Sequence, residues 1–108
     1  MVRREAILFA QLLRELQKID PEFPLQYAIC LVEIFCHSGL SLTQLSKQTG
    51  MPISTISRIV GALSKKRQKG QAFGLVKVSV CPNERRRKEI TVTSKGKATM
   101  DSICNLLK

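Results

Sequence analysis

The spacing of apolar residues changes once along this chain, and that change limits the folds open to it. Up to Leu63 they recur at three- and four-residue steps. From "GLVKVSV" (74–80) they alternate, with Val76, Val78 and Val80 on one face and Lys77 and Ser79 on the other. A return run, "KEITVT" (88–93), puts Ile90 and Val92 inward and Glu89 and Thr91 outward, with "CPNERRR" expected as the turn between. Thr93 then suits an N-cap, and Met100, Ile103 and Leu107 resume helical spacing. At 108 residues, with one hairpin among helices, the expectation is a single domain over 1–108, mainly α with a small β-hairpin (α+β).

The helical part divides at its breakers. Residues 2–19 carry Leu8, Leu12, Leu16 and Ile19 on one stripe, with Phe9 and Leu13 alongside. "DPEFP" (20–24) ends that helix with two prolines. "LQYAICLVEIFCHSG" (25–39) is apolar almost all round, which predicts a buried central helix ending at Gly39. "SLTQLSKQTG" (41–50) opens on a capping box, Ser41 with Gln44, turns Leu42 and Leu45 inward and closes at Gly50. "MPISTISRIVGALSKK" (51–66) follows, with Ile56, Ile59, Val60 and Leu63 inward. Two short helices over 41–66 and a hairpin over 74–93 make the winged helix-turn-helix plan.

Charge indicates what such a fold would meet. Residues 1–50 balance five Lys/Arg against five acids, whereas 51–100 carry twelve Lys/Arg against Glu84 and Glu89 alone. The net charge of +10 therefore lies in the middle-to-late segment, a field that attracts a polyanion, nucleic acid before membrane. No apolar run reaches the roughly 20 residues of a membrane span, and the N-terminus lacks the pattern of a signal peptide, so a cytoplasmic protein is expected. Cys30, Cys36, Cys81 and Cys104 form no C-x-x-C pair and read as buried small hydrophobes. The lone histidine, His37, placed in a helix read as core, cannot complete a metal site. With no nucleophile–base arrangement or phosphate-cradling loop, neither an enzyme nor a cofactor is expected.

The site residues follow from this layout. With the apolar face of 51–66 turned inward, Ser54, Thr55, Ser57 and Arg58 face outward near its start. Small hydroxyls let a helix sink into a major groove, and an arginine can grip a guanine or a phosphate. Arg85, Arg86, Arg87 and Lys88 repel one another in water but gain when phosphates surround them, and a narrowed minor groove rewards arginine further. Glu84, two residues from Arg86, is expected to orient that guanidinium. Lys65, Lys66, Arg67 and Lys69 add a backbone-contacting run.

At these residues the chain resembles the MarR-type winged-helix transcription regulators. "LVKVSVCPNERRRKEITVTSKG" is similar to the family's wing, Asp-x-Arg followed by a strand, Leu-Thr and a glycine. Glu84 takes the acidic place, Arg86 the arginine, Val92 and Thr93 the Leu-Thr, and Gly96 the glycine. "LSLTQLSKQTGMPISTISRIVGAL" resembles the helix-turn-helix, with the Ser-Thr-x-Ser-Arg run at Ser54 to Arg58. The likeness spans residues 24 to 97. It departs at Glu84 for the usual Asp and at Pro52 for a capping Ser or Asp, and its connection after the recognition helix is longer and more basic.

The resemblance implies a sequence-specific double-stranded DNA-binding regulator that occupies its operator as a homodimer. Family members dimerise through terminal helices, here 1–20 and 97–108, and the broad leucine stripe of residues 2–19 agrees. Relatives continue into longer C-terminal helices that build a ligand pocket; with the chain stopping at Lys108, a small-molecule ligand is not expected. The alternative is a winged-helix component of a replication, partition or packaging complex, with the first helix as its docking surface.

Overall fold

The computed structural model describes residues 3–64, 73–81 and 84–107; for 81 and 84–87 it describes the backbone. The elements run α1 (Arg4–Gln17), α2 (Leu25–Cys36), α3 (Leu42–Thr49), α4 (Ile53–Leu63), β1 (Val76–Cys81), β2 (Glu84–Val92) and α5 (Ser94–Leu106). The order expected from the sequence is the order found.

One buried cluster joins them. Cys30, Leu31 and Ile34 of α2 meet Leu45 of α3, Ile56, Ile59, Val60 and Leu63 of α4, Leu75, Val76 and Ile90 of the hairpin base, and Met100 of α5. Truncating a fully buried leucine here, such as Leu31 or Leu45, would remove about 2–5 kcal/mol. Phe23, Tyr27 and Phe73 form a second knot of edge-on rings, Phe23 to Phe73 at 5.2 Å, that pins the chain after its long connection against the start of α2.

A short stretch of main chain, 73–75, ties α4 to the hairpin and α5. The Phe73, Gly74 and Leu75 amides donate to the carbonyls of Ala62 (3.1 Å), Ser64 (3.1 Å) and Leu63 (2.7 Å), partnering groups at the C-terminus of α4. On the other side, the Thr93 amide donates to the Leu75 carbonyl at 3.0 Å, and the Thr93 hydroxyl to that of Gly74 at 2.7 Å. The same hydroxyl accepts from the Gly96 amide at 3.1 Å, the expected N-cap of α5. A Cβ at Gly96 would run into the Leu75 carbonyl, so the glycine that ends the wing motif is required by close helix–strand packing.

One isolated bridge joins the base of the two-stranded sheet to the chain after α2. The Gly39 amide donates to the Ile90 carbonyl (3.1 Å) and the Ile90 amide to that of Leu40 (2.8 Å), a single antiparallel bridge that ties the end of the α2–α3 connection to β2. α2 stops at Cys36, short of the expected Gly39, which instead takes a left-handed turn (φ +88°) that leads into the Leu40–Ile90 bridge.

Other expectations also change. The segment 81–87 is mostly strand, since β1 reaches Cys81 and β2 starts at Glu84. A register irregularity between Val80, paired with Lys88, and Cys81, paired with Glu84, accommodates the extra residues. Val78 and Val80 are not inward, being 42% and 56% exposed, because the body of the protein ends beneath Val76. α2 is buried on one side only and leaves Leu25, Ile29 and Val32 exposed. α1 buries none of its residues and packs chiefly against α5. Leu107 is exposed, as is Cys36; Cys30 alone of the described thiols is fully buried. His37 lies outside the core, exposed at the C-cap of α2 with Nε2 3.8 Å from the Glu33 carboxylate.

Replacing Gly96 by alanine should lower the unfolding free energy by about 1–3 kcal/mol in a urea titration. A wild-type midpoint would show that α5 does not rest on Leu75.

Candidate nucleic-acid interface

The helix-turn-helix is set by hydrogen bonds local to its turn. Ser41 and Gln44 form the reciprocal capping box, the Gln44 amide donating to Ser41 Oγ at 3.1 Å and the Ser41 amide to Gln44 Oε1 at 2.9 Å. Gly50, at φ +75°, ends α3 in the left-handed region that favours glycine. Ser46 Oγ then donates to the Met51 carbonyl at 2.5 Å, and the Met51 amide to Thr49 Oγ1 at 3.3 Å. These bonds fix how α4 leaves α3. Pro52 stands at the N-cap of α4 without a side-chain cap bond, its φ of −59° suited to a helix entry.

The outer face of α4 carries the residues expected there. Ser54, Ser57 and Arg58 are exposed and Thr55 is half-buried, while Ile56, Ile59, Val60 and Leu63 are in the core. Ile53, half exposed at the start of the helix, escaped the sequence reading because its apolar character suggested the interior.

The wing stands beside this face. Arg85, Arg86 and Arg87 lie along β2 instead of a free turn, with Glu84 opening the strand and Lys88 exposed across from Val80. The side chains of Glu84, Arg85, Arg86 and Arg87 lie outside the described residues, as do Lys65, Lys66, Arg67 and Lys69 altogether. Between α4 and the wing runs a half-open groove of about 380 Å³, with Leu42, Val60 and Val78 among its apolar walls and Ser57, Gly61, Ser64, Lys77 and Lys88 around them. Among the described residues no acidic side chain lines it.

The described residues offer little for other chemistry. Among them no group of three or more His, Cys, Asp or Glu could hold a metal ion, and no helix is long and apolar enough to cross a membrane. Burial pushes the Cys30 thiol up to about 11, with the Glu33 carboxylate adding to the effect, which makes it a poor nucleophile.

Residues 36–67, from the end of α2 through α4, match the IclR helix-turn-helix domain. No curated protein matches the chain. Solved structures do. The S. aureus MepR–DNA complex superposes with a TM-score of 0.76 at 18% identity, over 94% of this chain and 77% of that one. RV1404 from Mycobacterium tuberculosis gives 0.77 at 19%, over 94% and 65%. A mutant MarR from E. coli complexed with operator DNA gives 0.68 at 18%, over 94% and 69%. At such identities the likeness establishes the fold, the winged helix of the MarR-type regulators.

In the folded protein at about pH 8, iodoacetamide should modify Cys36 well before Cys30, as read by peptide mass mapping, and the two should react alike in denaturant. Equal rates in the native state would contradict the packing of α2.

Proposed function

We propose that this winged-helix chain is a sequence-specific double-stranded DNA-binding transcriptional regulator of MarR-like type, acting in the cytoplasm by occupying its operator, without catalysis. One observation carries the reading: the hydroxyl-and-arginine face of α4 and the cation-bearing strand β2 flank one groove that no acid lines among the described residues. With a net charge of +10, such a surface draws a polyanion. The helix-turn-helix match over 36–67 supports the same reading, as do MepR and MarR, similar folds solved on DNA.

Ser54, Thr55, Ser57 and Arg58 enter the major groove, where Arg58 reads a base or clamps a phosphate. Arg85, Arg86, Arg87 and Lys88 meet the adjoining backbone and minor groove, with Glu84 orienting Arg86. Lys65, Lys66, Arg67 and Lys69 hold the backbone further along.

The regulator acts as a homodimer. α1 has no fully buried residue, and it leaves Phe9 and Leu13, neighbours at i and i+4, exposed on one side and Ile7 on another. A two-fold axis through α1 and α5 would set two copies of α4 about 34 Å apart, one turn of duplex.

Arg58→Ala should change the preferred sequence, costing about 1–3 kcal/mol at one base position. Arg86→Ala should weaken binding to all duplexes and reduce the salt slope by about one. Anisotropy titrations on oligonucleotides selected from a random pool measure both; wild-type behaviour in both variants would refute these roles. Sedimentation at micromolar concentration should show a species of twice the 12.1 kDa chain mass, whereas a solely monomeric boundary would rule the homodimer out.

A further inference from the structure

We propose that Ile53, the first residue of α4, reads the 5-methyl group of a thymine in the major groove and so helps to set which sequence the protein prefers. The inference rests on the DNA-binding reading and adds a contact of different chemistry, apolar where Ser54, Ser57 and Arg58 are polar.

Ile53 is an anomaly because the fold does not use it. It is 50% exposed and stands outside the buried cluster that takes Ile56, Ile59, Val60 and Leu63 from the same helix. A helix entry often needs two apolar residues, one before the cap and one in the fourth helical place. Met51 and Ile56 already hold those places, Ile56 fully buried and Met51 packed against the cluster. Local propensity does not ask for isoleucine either. A β-branched side chain loses rotamer freedom in a helix, and the first turn favours acids, which face the positive end of the helix dipole. The first turn of α4 has no acid, so nothing on it repels a nucleic acid.

Its position suits a reader. Side chains lean towards the N-terminus of their helix, so one at the first position reaches past the helix end. The neighbours are small: Ser54 follows it and Ser57 lies one turn on along the same edge, both exposed. The branched side chain therefore stands above them. In a helix-turn-helix, the residues at the start of the second helix are those that meet base edges. Ile53 has no donor or acceptor to offer there, and the apolar group that a base pair displays in the major groove is the thymine methyl. Arg58, five residues on, lies about 7.5 Å further along the helix axis. At roughly 3.4 Å per base step, the two side chains reach positions within about three or four base pairs of each other.

The test uses the full chain, duplexes selected from a random pool and anisotropy titrations, with circular dichroism and a thermal midpoint on every variant. Wild type should select a fixed thymine within that distance of the base whose identity changes in Arg58→Ala. Deoxyuridine there, which removes the methyl and keeps the pairing edge, should weaken wild-type binding about fourfold, the weight of one buried apolar carbon. Ile53→Ser should bind the thymine and deoxyuridine duplexes alike, whereas Ile53→Val should keep most of the preference. Should Ile53→Ser not fold, Ile53→Ala takes its place. The same deoxyuridine penalty in the folded variant, or none at any thymine for wild type, would overturn the assignment. An altered sequence preference in Arg58→Ala would then leave the DNA-binding reading standing. Failure of the unmodified protein to bind any duplex would remove that reading, and the role of Ile53 with it.

Discussion

The three residues 73–75 are the interaction on which the remaining geometry depends. Their amides occupy the carbonyls at the end of α4, while the carbonyls of Gly74 and Leu75 receive the Thr93 hydroxyl and amide. The recognition helix, the base of the wing and the start of α5 therefore share one backbone junction. Shifting any of them would leave polar main-chain groups unpartnered next to a fully buried Leu75, at a cost of about 1–3 kcal/mol for each. The relative placement of α4 and wing is thus built into the fold, and a surface with two points of contact does not have to be ordered when it meets its target.

Much of this was legible in the residues. The capping box at Ser41 and Gln44, the glycine at position 50, the inward set Ile56, Ile59, Val60 and Leu63, and the Thr93 cap each depend on short-range chemistry, which sequence spacing encodes directly. The outward placement of Ser54, Ser57 and Arg58 followed by elimination once the inward face was known. Gly96 was recognisable as part of a motif, but the Leu75 carbonyl that demands a glycine there is a long-range neighbour.

What was not legible shares a physical character. The junction at 73–75 and the Leu40–Ile90 pair are made by main-chain groups, which every residue possesses, so no side-chain pattern announces them. The continuation of β2 through the arginines was hidden for the same reason: a ladder depends on amides and carbonyls, while the like charges suggested an open turn. Alternation assigned Val78 and Val80 to the correct face of the strand without showing how far the core reaches beneath it. Amphipathic spacing likewise identified the stripe on α1 but not what covers it.

The return of the chain to its starting point after α4 has a separate consequence. Ser64 and Gly74 are joined by a 3.1 Å main-chain hydrogen bond, so two points ten residues apart in sequence meet at one place. Bringing two such points together costs only slightly more as the sequence between them lengthens, roughly 0.6 kcal/mol for each doubling. Insertions and deletions there are cheap for the scaffold, which gives descendants of this sequence a place to gain or lose positive charge without redesigning the reader itself.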